Sequence, residues 1–141
     1  MINLIDHYAN GEKLYEKFVS KVMDEYHLTY MEFNIIMFLF NNPKYDTATS
    51  IVTYRHLSKS HVSTSVKTLI EKKLLTSEFY ENDHKTIHLK LTEFSKPIAK
   101  KGLKVQNAFM DMLTEAFTKE EKDKLYEFIF RVDKNIDKYL K

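Results

Sequence analysis

Apolar residues recur every three or four positions along most of the chain, and this spacing predicts amphipathic helices. The first predicted helix covers residues 4–26, where Gly11 weakens the first half because glycine is a poor helix former. Residues 33–40 are apolar on nearly every side, which predicts a central, buried helix. That helix begins at a capping box, in which Thr29 and Glu32 each accept a hydrogen bond from the other's backbone N–H, and the following Asn-Asn-Pro ends it.

Two further helices follow, with a tight connection between them. Residues 47–54 favour a short helix, residues 55–57 form the connection, and Ser58 is placed to cap a helix that continues to Lys73. The inward stripe of this last helix consists of Val62, Val66, Leu69 and Ile70. Its opposite face carries Ser60, His61, Ser63, Thr64, Lys67, Thr68 and Glu71. Such a face is either a binding surface or an ordinary solvated helix surface.

Beyond residue 75 the apolar spacing changes to two. Residues 78–80 and 87–91 alternate apolar and polar side chains, and the polar stretch 81–85 separates them, which predicts a β-hairpin with a charged tip. This is the only strand signal in the chain. A lone hairpin is marginally stable in water, so we expect it to pack against helices.

Two more helices complete the predicted order. Ser95 is the better of two candidate caps for the first, because it places Pro97 in the first turn, where a missing N–H costs little. We expect this helix to end at about residue 117, and a second capping box at residues 118–121 opens the last helix. The predicted fold class is therefore mainly α with a small β-hairpin.

The composition supports a helical fold and excludes several kinds of site. Only two glycines and two prolines occur among 141 residues, which argues against a turn-rich β-sandwich. Without cysteine, the chain has no disulfide, thiolate ligand or cysteine nucleophile. No stretch of about 18 residues is purely apolar, so we expect no membrane partner. The first residues lack the basic and apolar regions of a signal peptide, so we expect a cytoplasmic location.

The net charge of +2 conceals an uneven distribution. Residues 44–104 contain 12 Lys/Arg and 6 Asp/Glu, a net charge of +6, whereas the rest of the chain carries −4. A basic middle within an acidic frame indicates that this part of the chain meets a polyanion. The alternative is an ordinary fluctuation of charge along the sequence.

The order of short helix, tight turn, capped helix and charged hairpin is that of a winged helix-turn-helix. The major groove of B-DNA is about 12 Å wide and admits one helix whose outward side chains are not bulky. Ser60, Ser63 and Thr64 suit contacts with base edges or phosphates near the helix N-terminus. The lysines placed to neutralise phosphates are Lys59, Lys67, Lys72 and Lys73. We therefore predict double-stranded DNA as a partner.

These residues also carry a family resemblance. Residues 57–63 (LSKSHVS), followed by Val66 and Leu69, resemble the recognition helix of the multiple-antibiotic-resistance regulator (MarR) family. The DHK at 83–85 and the LKLT at 89–92 resemble the wing of that family. Together the resemblance implies recognition-helix contacts to DNA at Ser58, Lys59, Ser60, His61, Ser63, Thr64 and Lys67. It implies wing contacts at Asp83, His84 and Lys85.

The resemblance further implies an architecture and a mode of action. The chain, 1–141, would be a single domain with the winged helix-turn-helix lobe at 29–92 and dimerisation helices at 1–28 and 93–141. A homodimer would bind a pseudo-palindromic operator, as a repressor. A small aromatic or phenolic effector would enter a cleft, with candidate lining residues Tyr8, Tyr15, Tyr30, Phe33, Met37 and Tyr45. Core packing is the alternative for each of these side chains.

Several positions depart from the pattern of that family. His84 and Lys85 stand where arginines are usual, and lysine lacks the planar fork of arginine, which predicts weaker reading of the minor groove. Arg55 is the only arginine of the lobe and is expected to support the backbone or stack locally. Ser95 and Lys73 replace common glycines, and Lys73 is expected to need a different turn.

Other chemistries find little support. The sequence contains no phosphate-binding glycine loop, nucleophile elbow or zinc-protease motif, so we expect neither an enzyme nor a cofactor. His84 and His88 on one strand lie about 13 Å apart, too far to share a metal ion. A metal sensor built from His and carboxylates remains a minor alternative. The alternative function is a helical interaction protein of the same fold that binds a protein, as an anti-regulator would.

Overall fold

The computed structural model describes residues 3–140 and contains six helices and one two-stranded sheet in that range. The helices are α1 (Leu4–Glu25), α2 (Tyr30–Asn41), α3 (Ala48–Arg55), α4 (Lys59–Glu71), α5 (Lys96–Leu113) and α6 (Lys119–Leu140). The strands β1 (Leu75–Tyr80) and β2 (Asp83–Leu91) lie between α4 and α5. The predicted fold class and order of elements are confirmed.

Helix α2 is the centre of the core, as its apolar composition predicted. All of its residues from Glu32 to Leu39 are buried. The capping box is present, with the Glu32 N–H donating to Thr29 Oγ1 and the Thr29 N–H donating to Glu32 Oε2, both at 3.1 Å. Around α2 the core is completed by Val19, Val22, Ile51, Val62, Leu69, Leu75, Leu89 and Ile98. The hairpin thus contributes to the core, which accounts for its stability beside the helices.

The hairpin is longer and its turn shorter than the alternation predicted. Its antiparallel register pairs Leu75 with Leu91 and Tyr80 with Asp83, which leaves only residues 81–82 in the turn. The register shifts between Glu78 and Tyr80. The predicted tip residues His84 and Lys85 therefore belong to β2, since backbone pairing extends through polar positions that carry no apolar alternation.

Helices end in this chain without glycine. His27, His56, Lys73 and Ala116 have φ values between 51° and 64°, in the left-handed region. After α4 the N–H groups of Lys73 and Leu74 donate to the carbonyls of Ile70 and Leu69, both at 2.9 Å, which is the Schellman arrangement. The expectation of a different turn at Lys73 is wrong, because lysine adopts the glycine-type conformation at a cost of about 1–2 kcal/mol. The turn at Ala116 likewise ends α5 at Leu113, earlier than predicted.

Gly102 permits a close approach between α5 and α2. A Cβ at this position would lie 2.3 Å from Met37 Sδ and 3.2 Å from Phe33 Cε2, and both of those side chains are buried. At Gly11 in α1, by contrast, nothing lies within 4 Å of such a Cβ.

Alanine should therefore have opposite effects at the two glycines. We expect Gly11→Ala to raise the free energy of unfolding by about 0.5–1 kcal/mol, because alanine is the better helix former. Gly102→Ala should lower it by about 1 kcal/mol, because overpacking exceeds the gain in helix propensity. Urea denaturation of the two variants beside the wild type measures both values. Stabilisation by both substitutions would contradict the close packing at Gly102.

The chain divides into two compact units, one ending at Asn107 and one beginning at Ala108. The second unit holds α6, in which no residue is buried. The exposed apolar side chains of α6 include Phe128, Ile129, Val132, Ile136 and Tyr139.

Within residues 3–140, no helix combines the length and apolar character needed to cross a membrane.

Candidate nucleic-acid interface

Helix α4 is held by its apolar side and capped at its start. Val62 and Leu69 are buried, and the His61 N–H donates to Ser58 Oγ at 3.2 Å, which confirms Ser58 as the N-cap. The predicted inward position of Ile70 is wrong, because 36% of this residue is exposed. Ile70 lies at the edge of the core, on the side of α4 next to the hairpin.

The predicted recognition face lies on the outside of the protein. All seven of its residues are exposed: Ser58, Lys59, Ser60, His61, Ser63, Thr64 and Lys67. They occupy the cap and the first turns of α4, where unpaired backbone N–H groups and the positive end of the helix dipole favour an anion. The structure thus brings short polar side chains and two lysines together on one accessible face.

The three wing residues differ in what their side chains do. His84 and Lys85 are exposed, whereas Asp83 is half-buried. One Asp83 carboxylate oxygen accepts hydrogen bonds from the backbone N–H groups of Lys85 at 2.9 Å and Thr86 at 3.1 Å. Hydrogen bonds from Thr86 and from these N–H groups lower the pKa of Asp83 below its usual range. Asp83 therefore stabilises the backbone of the wing through these hydrogen bonds, and Lys85 is exposed beside it.

Lys72 is committed to the protein itself. Its Nζ donates to the His27 carbonyl and to Glu32 Oε2, both at 2.8 Å, and only 5% of the Glu32 side chain is exposed. This ion pair ties the end of α4 to the start of α2. This structural role replaces the phosphate contact that was expected at Lys72. The sequence analysis missed it because Glu32 lies 40 residues away in the chain.

A cluster that the sequence patterns missed attaches the wing to the loop before α3. Asp46 accepts hydrogen bonds from His88 Nδ1 and from the Tyr80 hydroxyl, both at 2.8 Å. The rings of Tyr80 and His88 stack with centroids 3.7 Å apart, and the Leu89 N–H donates to the Asp46 carbonyl at 2.7 Å. The alternation of β2 placed His88 opposite the apolar face, but no local signal pointed to Asp46.

This cluster should make the free energy of unfolding depend on pH. Partial burial raises the pKa of Asp46, but the hydrogen bonds from His88 and Tyr80 outweigh it and hold the pKa below its usual value. A carboxyl with a lowered pKa in the folded state contributes stability above its unfolded pKa and loses it as pH falls through the folded pKa. We therefore expect Asp46→Asn to lower the free energy of unfolding at pH 7, with a difference from wild type that shrinks as pH falls below about 4. Denaturant unfolding from pH 7 to pH 3 measures this, and a constant difference would contradict it.

A cleft of about 540 Å³ lies between α1, α2 and the connection from α3 to α4. Of the six predicted lining residues, Tyr8 and Tyr30 line this cleft, Tyr15 and Tyr45 do not, and Phe33 and Met37 are buried in the core. Tyr15 packs against Tyr30 with ring centroids 6.4 Å apart, and Tyr45 packs against Tyr54 at 4.5 Å.

Arg55 lines the same cleft, and its Nη2 donates to Asn34 Oδ1 at 3.4 Å. This contact is with a side chain, whereas the expected roles of Arg55 were support of the backbone or local stacking. Burial raises the pKa of Tyr30 above its usual value, and a tyrosine hydroxyl is protonated at neutral pH even without that shift. The cleft thus presents a phenol donor and a guanidinium to any ligand.

Among residues 3–140, no three His, Asp or Glu side chains are arranged to hold a metal ion.

Comparison with protein families places the lobe among gene regulators. A family model described as transcriptional regulator SarA/Rot matches residues 17–101, which is more than half of the chain and includes α2–α4 and the hairpin. No curated protein matches the chain.

Solved structures share the fold over nearly the whole chain. A MarR family regulator from Listeria monocytogenes complexed with a 26mer DNA has a TM-score of 0.84 and 15% identity, covering 99% of this chain and 93% of that one. A MarR/EmrR family regulator from Acinetobacter sp. ADP1 has a TM-score of 0.75 and 22% identity, covering 97% and 99%. The S. aureus MepR–DNA complex has a TM-score of 0.76 and 12% identity, covering 95% and 96%. The resemblance to MarR regulators expected from the recognition helix and wing is confirmed in the fold.

Proposed function

The chain belongs to the SarA/Rot family of transcriptional regulators, and from that membership we propose that it acts by binding double-stranded DNA through α4 and the wing. The observation that carries the proposal is the exposed face of α4, where seven polar or basic residues surround a capped helix N-terminus. The Listeria monocytogenes regulator and S. aureus MepR, both of this fold, were solved with DNA. The family is one of regulators and not of enzymes.

In this proposal the first turns of α4 enter the major groove. Ser60, Ser63 and Thr64 are short enough to approach base edges, and each can donate or accept a hydrogen bond. Lys59 and Lys67 contact phosphates at the groove edge, and Lys85 contacts one from the wing. Asp83 supports the wing backbone, and His84 is its remaining polar contact.

The proposal includes a homodimer. Helix α6 leaves an apolar stripe exposed, and α1 exposes Ile5 and Tyr8. Large contiguous apolar surfaces that stay exposed on a protein mark interaction sites, and we propose that α6 carries one. A second copy supplies a matching stripe by symmetry and places two copies of α4 on successive half-sites of a pseudo-palindromic operator.

The proposal also assigns a mode of regulation and a location. A dimer bound to a promoter blocks transcription, so we propose that the chain acts as a repressor. We also propose a cytoplasmic location. A small aromatic or phenolic effector fits the cleft at Tyr8 and Tyr30, where Arg55 can pair with an acidic substituent. The arginine-poor wing favours a second candidate, an interaction protein that binds a protein partner instead of DNA.

A direct binding experiment separates these functions. Fluorescence anisotropy with the DNA flanking the chain's own gene should show tight binding at low salt, and binding to random duplex should be weaker. Replacing Ser63 and Thr64 together by alanine should cut the specific affinity at least tenfold while leaving random-duplex affinity unchanged, because lost base contacts cost about 1–3 kcal/mol. Thr76→Ala on β1 is the matched control. Absence of binding at low salt would refute the DNA function and favour a protein partner.

A further inference from the structure

A groove of about 640 Å³ runs between α4 and the inner face of the hairpin. Its volume is in the range of pockets that hold small ligands. Its walls come from α3, α4, β1 and β2, all within the unit that ends at Asn107. The groove shares no lining residue with the cleft at Tyr30.

The walls of this groove are aliphatic. Its apolar lining residues are Ala48, Val52, Val66, Ile70, Ile87 and Leu89, and no aromatic ring lines it. Ile70 and Ile87 are 36% and 52% exposed, although they lie beside the lysines that we propose contact phosphates. Phosphates gain nothing from contact with isoleucine, so these side chains indicate an apolar ligand. A saturated chain suits walls that offer no ring for stacking.

Polar groups mark one end of the groove as the place for an anion. Lys59 and Ser63 line it in the N-terminal half of α4, whereas Lys67 and Glu71 line it in the C-terminal half. The helix dipole has the same direction, with its positive end at Lys59. An anionic head group is therefore stabilised near Lys59 and repelled from Glu71.

We propose that this groove binds a saturated aliphatic carboxylate, with the carboxylate at Lys59 and Ser63 and the chain against Ile70 and Ile87. Lys59, Ser63 and Lys67 are also the proposed DNA contacts, so the fatty acid and the operator exclude each other. This competition rests on the proposed function, whereas binding of the carboxylate does not. The chain thus carries a direct regulatory site on its DNA-binding face.

Calorimetry of the full chain without DNA tests the site by itself. Decanoate should bind saturably, at one molecule per chain. Decan-1-ol, which has the same chain without the charge, should bind about tenfold more weakly, because it loses charge-assisted hydrogen bonds. Equal affinity for the alcohol would overturn the assigned head-group position.

Two serine variants locate the binding. Ile70→Ser and Ile87→Ser should each weaken decanoate binding about tenfold, because each removes a large part of one apolar contact. Ile87 is the more exposed of the two, so its variant keeps the test valid if Ile70→Ser destabilises α4. Phe79→Ser is the matched control, since Phe79 is 51% exposed on the same hairpin and does not line the groove. Decanoate binding that survives both serine variants would overturn the proposal.

Competition with DNA separates this proposal from the proposed function. Decanoate should release labelled operator from the wild-type chain, and Ile87→Ser should require about tenfold more. A chain that binds decanoate but no duplex refutes the DNA function and leaves the groove assigned. A chain that binds duplex but no decanoate overturns the groove and leaves the DNA function intact.

Discussion

Raising the salt concentration from roughly 50 to 200 mM should weaken operator binding by about a thousandfold. Each phosphate that a lysine neutralises releases condensed counterions, so the logarithm of the binding constant falls with the logarithm of salt concentration by about 0.9 per contact. Lys59, Lys67 and Lys85 are exposed, and we propose that they supply three phosphate contacts per protomer, or six in the proposed dimer. The expected slope is therefore about −5.

Single lysine variants show which contacts produce that slope. Lys67→Ala should make the slope shallower by about 2, because a dimer loses one contact per protomer. Lys21→Ala removes an exposed lysine from α1 and should leave the slope unchanged. Anisotropy titrations at four salt concentrations give the slopes. A flat response for the wild-type chain would refute phosphate binding.

Charging the apolar stripe of α6 should prevent formation of the proposed dimer and should weaken operator binding as a result. Ile129 and Ile136 lie seven residues apart on one face of α6, and both are about half exposed. Fully burying an exposed isoleucine contributes about 1.5–3 kcal/mol, so burying the exposed half of these side chains contributes about half as much each. Symmetry brings four of them into the proposed interface, and we expect Ile129→Asp combined with Ile136→Asp to weaken dimerisation by about 10²–10⁴-fold.

Analytical ultracentrifugation measures the dimer and anisotropy measures the loss of DNA binding. Phe130→Asp is the control, because Phe130 is exposed on the same helix but lies about 100° around the axis from Ile129. The control should remain a dimer. A double variant that stays dimeric with normal operator affinity would show that α6 does not form the interface.

Much of the fold followed from short-range patterns. The capping boxes at Thr29 and Thr118, the cap at Ser58 and the change of period before the hairpin all involve residues within four positions of each other. Interactions of this range depend mainly on neighbours in the chain, which is why element order and the exposed face of α4 were predicted. The left-handed turn at Lys73 was not predicted, because a left-handed lysine gives no compositional signal.

Part of the candidate site was likewise predicted from local patterns, and part was not. Ser60, Ser63, Thr64 and Lys67 could be recognised as one face because helical periodicity alone places them together. The groove beside them depends on Ile70, whose burial was predicted wrongly. Periodicity assigns a residue to a helix face, but it does not tell how far the core extends along that face.

The sequence by itself determined the order of the helices and the hairpin, the caps at Thr29, Ser58 and Thr118, and the basic charge of residues 44–104. Only the tertiary structure decided which charges are available to a ligand. It commits Lys72 to Glu32 across 40 residues and attaches the wing through Asp46 and His88 across 42 residues. The physical reason is that local backbone bonding depends on neighbours in the chain. Pairing between side chains depends on distances that only the packed core sets.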